Sequence, residues 1–165
     1  MAALVIAIIR YAVAAAGIFT GYFLFFTWRD VRPALEVVCL TCVGINGILS
    51  FISHVVFHEE DARRLGLDSA HPGFQFEVGF FNLSAGLLAV FSFLLSWGPI
   101  ANAVLLLVYA LYILQAVIFH LFRYVAGKKR GAGYLWGSIV AAGLYSGNML
   151  FFAFAALIQE QLLPF

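Results

Sequence analysis

Five long apolar runs, separated by short polar gaps, constrain this chain more than any single motif does. They cover about residues 2–27, 34–57, 74–97, 100–124 and 134–158. A helix needs about 20 apolar residues to cross a hydrocarbon layer, and each run supplies that length. The expected fold is all-α: a polytopic membrane protein, one bundle of five transmembrane helices forming a single domain over residues 1–165. Composition excludes a soluble domain, since 64% of residues are apolar and 10% charged, against about 25% charged in soluble chains. Loops this short leave no room for a second domain and make sequential helices antiparallel.

The first run contains Ala12-Val13-Ala14, which has the small-residue pattern of a signal-peptide cleavage site. No basic region precedes Ala2, however, and the apolar run continues past Gly21, so a retained helix is expected. Pro33 suits the first turn of the second helix, and Arg32 stands four residues before Glu36, the spacing of an interfacial ion pair. The one substantial polar segment, residues 58–73, holds Glu59, Glu60 and Asp61 followed by Arg63 and Arg64. That order reads as a surface helical turn or two, with Gly66 as its stop.

Orientation follows from the basic residues. Arg63, Arg64, Arg123, Lys128, Lys129 and Arg130 fall on the side of the N-terminus, with Arg10 near it, against Arg29 and Arg32 on the other. The expectation is a membrane protein with its N-terminus in the cytoplasm and its C-terminus outside. The lipid bilayer is then the main partner, with other membrane subunits or a second copy of the chain. A formal net charge of +1 offers nothing to nucleic acid.

Function must come from polar residues inside the spans, because each is costly there. Glu77 enters the third span in the stretch His71–Gly86. His54 lies three residues before the cytoplasmic end of the second run, and His120 four before that of the fourth. At about 1.5 Å per residue the three share one layer, roughly 5 Å inside the same face. Arg10 can sit at headgroup level or enter this layer, and His58 lies one turn beyond His54. Two imidazoles and a carboxylate are ordinary ligands for a transition metal or haem. The same groups also suit a proton relay. A third reading has Glu77 neutralised by Arg10 or a histidine, fixing helix packing. His58 and His71, in loop positions, are expected to be solvated.

Asn46, Ser50, Asn82, Gln115, Ser146 and Asn148 should face the bundle interior. The glycine pairs Gly17/Gly21, Gly133/Gly137 and Gly143/Gly147 have GxxxG spacing and are expected to pack closely. Cys39-Leu40-Thr41-Cys42 resembles the CxxC of small quinone-linked thiol oxidases, which sits near the outer end of their second helix. Those enzymes relay electrons through a second cysteine pair. This chain has no other cysteine, so two small apolar side chains are the expectation.

The order Ser53-His54, then Gly66, then Phe74-Gln75-Phe76-Glu77-Val78-Gly79 with Asn82-Leu83, then His120, resembles a family of small bacterial membrane proteins classed as a domain of unknown function. The resemblance covers roughly the second to the fourth span. It departs from the family at Ser53 and Phe119, where glycine usually precedes each histidine. It marks His54, Gln75, Glu77, Asn82 and His120 as residues to follow and implies no activity. The reading carried forward is a non-catalytic accessory or binding subunit with a His/Glu site near the cytoplasmic face, with Arg10, His58, Gln75, Asn82 and Gln115 in support. The alternative is a metal- or haem-binding redox or proton-handling protein on His54, Glu77 and His120. A lone transporter is disfavoured, because no inverted repeat supports alternating access.

Overall fold

The computed structural model describes residues 1–65, 70–127 and 131–161. It contains α1 (Ala2–Trp28), α2 (Val31–Val56), α3 (His58–Leu65), α4 (Gly73–Leu94), α5 (Pro99–Val125) and α6 (Ala132–Gln159), with no strand among the described residues. All but α3 are long and apolar enough to cross a membrane. The protein is an all-α polytopic bundle. Lys128, Lys129 and Arg130 of the basic loop, and Gly66, lie outside the described residues.

Local chemistry moves the ends of the spans by a few residues. Helix α2 begins at Val31 because the Asp30 carboxylate accepts the Arg32 backbone N–H at 3.0 Å, an N-cap that satisfies one orphan donor. Helix α4 stops at Leu94, where Ser96 (φ 51°) and Gly98 (φ 91°) reverse the chain into α5. Arg32 does not bond Glu36. Its Nε donates to Glu160 at 3.0 Å, while Gln159 accepts the Val31 N–H at 2.9 Å. The start of α2 is thus tied to the end of α6, across a longer distance in sequence than any spacing rule reaches.

Helix α2 is the axis of the bundle. Half of its most apolar stretch is buried, against a third or less for every other span. Its buried residues include Leu35, Val38, Cys39, Cys42, Val43, Asn46, Ser50 and Ser53, small or medium side chains at helical spacing. Cys39 and Cys42 fill this core as free thiols. Helix α4 crosses α2 where Gly47 meets Gly86. A Cβ on Gly47 would lie 2.5 Å from the Asn82 carbonyl oxygen, and one on Gly86 would lie 2.9 Å from that of Gly44. Gly17 and Gly21 bring α1 against Thr41 and Val38, as their spacing leads one to expect. The other two pairs do not pack. Gly133, Gly137 and Gly147 face open space, and a Cβ on Gly143 would only reach Val117 at 4.0 Å.

Most intramembrane polar groups find partners inside. The Tyr109 hydroxyl donates to Asn82 Oδ1 at 2.6 Å, Ser92 to Asn102 at 2.8 Å, Ser146 to the Ala110 carbonyl at 2.8 Å, and Ser50 to the Asn46 carbonyl at 2.7 Å. Gln115 departs from the expectation: it is exposed on α5, turned toward lipid rather than into the bundle. Tyr109→Phe should leave the buried Asn82 oxygen without its donor. The expected loss is about 1 kcal/mol, the usual size of an interhelical hydrogen bond in membranes, read as an earlier midpoint in denaturation from mixed micelles.

Two spans depart from regular α geometry. Helix α2 widens into π-helical turns over Cys39–Ile45 and Ile52–Val56, and α6 over Leu135–Ala141. Within the first, Thr41 Oγ1 donates back to the Val37 carbonyl at 2.7 Å. Such turns recur at functional positions in helices.

Candidate functional site

The expected His54–Glu77–His120 set does not assemble. Among the described residues no three His, Cys, Asp or Glu side chains lie where they could hold one metal ion. Each histidine has a different neighbour. His54 Nδ1 is 2.7 Å from Asp61 Oδ2, and His120 Nδ1 is 2.7 Å from the Tyr134 hydroxyl. Glu77 is exposed on α4, whereas Gln75, two residues earlier, is buried. Residues two apart point to nearly opposite sides of a helix. Gln75, Gly79, Asn82 and Gly86 form the stripe that meets α2, and Glu77 lies off it. His58 is half-buried, its ring edge-on to Phe76 with centroids 5.3 Å apart, rather than freely solvated.

The carboxylate that replaces Glu77 in the layer is Asp61, which sequence order places among surface charges. Phe57 breaks α2, and α3 folds back so that Asp61 is fully buried against the end of α2. Its Oδ1 accepts from Ser53 Oγ at 3.0 Å and from Arg64 Nη2 at 2.7 Å, while Oδ2 faces His54. Burial alone would push this carboxyl up. The hydrogen bonds and charges of His54 and Arg64 outweigh it and hold the group well below the usual carboxylate range. Asp61 is therefore an ionised, saturated acceptor. Nearby, Glu60 Oε2 accepts the Ala3 backbone N–H at 3.1 Å, joining α3 to the first turn of α1. This corner reads as a lock between α1, α2 and α3.

A second feature lies beside the lock. A cavity of about 350 Å³ separates α1 from the first half of α6. Ala7, Arg10, Ala14 and Ala15 form one wall and Gly137, Ala141 and Ala142 the other, with Asn46 of α2 and Arg64 of α3 between them. Two causes keep it open. The α1 wall is mostly alanine, and no residue of α6 from Ala132 to Ala141 is buried. Farther along, Tyr22 closes the gap by donating to Asn148 at 2.8 Å and packing its ring at a tilt against Phe151 and Phe152. Ala15 and Leu144 at the rim are exposed on the bundle surface.

Arg10 is the group in this cavity that sequence reasoning undervalued. Its Nε is buried inside the bundle and has no hydrogen-bond partner, and no ion pair reaches it among the described residues. Tyr109, Tyr112 and Tyr145 lie within electrostatic reach of it. Three other polar groups of the lining donate within the protein. Asn46 donates to the Thr41 carbonyl at 3.1 Å, Tyr145 to the Cys42 carbonyl, and Asn148 to the Leu144 carbonyl at 2.7 Å. A lone arginine nine residues into an alanine-rich span was the available signal.

Comparison with known families places the sequence. Residues 1–158 match the family of unknown function DUF6790. The chain belongs to DUF6790. The DUF6790 match extends past the second to fourth spans that carry the His…FQxEVG…NL…His pattern and takes in α1 and nearly all of α6, the two walls of the cavity. No curated protein and no solved structure matches this DUF6790 chain.

Proposed function

We propose that the protein is a non-catalytic membrane subunit whose work is binding, and that its site is the cavity between α1 and α6. One observation carries the reading: a charged side chain inside a span, with a buried and unpartnered nitrogen, lines a cavity that opens sideways to lipid. An unpaired intramembrane charge is costly and marks a site by default. The volume lies within the range of small-molecule pockets. The π-helical turn over Leu135–Ala141 borders the cavity and adds support. Catalysis on a His/Glu layer has less support, since His54 is engaged with Asp61 and Glu77 faces outward. The charge bias read from sequence favours placing the Asp61 corner at the cytoplasmic face of a bacterial inner membrane. The accessory role predicts that isolation in mild detergent brings down defined membrane partners, whereas a lone monomer would contradict it.

The binding role is tested by extracting gently purified protein and analysing the extract by mass spectrometry. One small molecule in stoichiometric amount is expected from the native chain and should be lost from Ala142→Phe, which fills the cavity. No retained molecule in either protein would refute the assignment.

A further inference from the structure

We infer that the ligand of this cavity is an anionic single-chain lipid, its carboxylate held by Arg10 and its chain lying between α1 and α6; the inference rests on the binding role proposed above. The charge balance points to an anion. Arg10 and Arg64 are the charged residues on the cavity wall, and no Asp or Glu lines it. Arg64 is already paired with Asp61 at 2.7 Å, so Arg10 is the cation left to be neutralised. Its guanidinium presents a planar fork of donors matched to a carboxylate. Asn46, Tyr145 and Asn148 already donate to carbonyls inside the protein, so the Arg10 guanidinium is the strongest donor a head group meets there.

Shape points to one chain. Beyond Arg10 an apolar track of Ala14, Ala15, Ile18 and Ala142 leads to the exposed rim at Leu144. About 350 Å³ is too little for two hydrocarbon chains, and a single long chain enters with its far end emerging at the open rim. The lateral opening lets the ligand enter from the bilayer without passing through water.

Radiolabelled oleate and oleyl alcohol share a chain and differ in head charge. In neutral detergent micelles the native protein should bind oleate saturably and about tenfold or more tightly than the alcohol, the weight of one charge-assisted hydrogen-bonded pair. Arg10→Gln should bring the two affinities together, and Arg10→Lys should keep part of the preference. Equal affinities in the native protein would overturn the anionic assignment while leaving a binding cavity. Saturable binding of neither would overturn the cavity reading itself. Dioleoylphosphatidylglycerol competing as well as oleate would overturn the single-chain assignment. The native-protein comparison needs no variant to fold.

Discussion

Asp61→Ala is expected to destabilise the bundle by about 3 kcal/mol or more, the usual cost of removing one partner from a buried charge network. The side chain is fully buried and holds three others at once: Ser53, His54 and Arg64. Its loss strands a 15% exposed histidine and a half-buried arginine and unties α3 from α2. The effect should appear as a large drop in the denaturation midpoint in mixed micelles. Acid should mimic it with a definite sign. Because the native carboxyl is held below its ordinary range, its contribution is fully present above the usual aspartate value near 4 and declines as pH falls below it. Native protein should therefore lose midpoint as pH falls from about 4 to about 2, and Asp61→Asn should lose distinctly less over that interval. Identical acid sensitivity in the two would show that Asp61 is not the group concerned.

Gly86→Ala carries the second large effect. The added methyl would meet the Gly44 carbonyl oxygen at 2.9 Å and the Ile48 nitrogen at 3.0 Å, both backbone atoms that no rotamer change can move. Helices α2 and α4 would have to separate along the stripe that seats Gln75, Gly79 and Asn82. A loss of about 2–3 kcal/mol is expected from overpacking of this kind, measured by the same denaturation. Gly147→Ala, with open space around it, should be close to neutral.

The spans were legible because lipid imposes a length and a polarity that short loops leave uninterrupted. The interior was legible only in part. Gly17 and Gly21 pack as their spacing implies, yet the crossing where backbone meets backbone uses Gly47 and Gly86, which belong to no GxxxG pair. Contact between two helices depends on both faces at once, and a motif on one strand of sequence reports only half of it. Depth placed His54, Glu77 and His120 in one layer, but depth says nothing of rotation about each helix axis. The stripe Gln75, Gly79, Asn82 and Gly86 carries that rotational information and turns Glu77 outward. Asp61 was hidden for a different reason: the break at Phe57 converts a run of surface acids into one buried and two outer carboxylates. The cavity arises from a near-absence of contact between α1 and the start of α6, and a sequence gives no direct signal for two helices that stand apart.

Site-specific protection reports whether the space between α1 and α6 is a lipid-accessible binding site. Cys39 and Cys42 are buried, so an introduced thiol can be followed by itself. Alkylation of Ala141→Cys by a small maleimide should slow markedly when oleate is added, while alkylation of Val104→Cys, on the exposed face of α5, should not change. Equal rates at Ala141→Cys with and without oleate would show that oleate does not occupy this space.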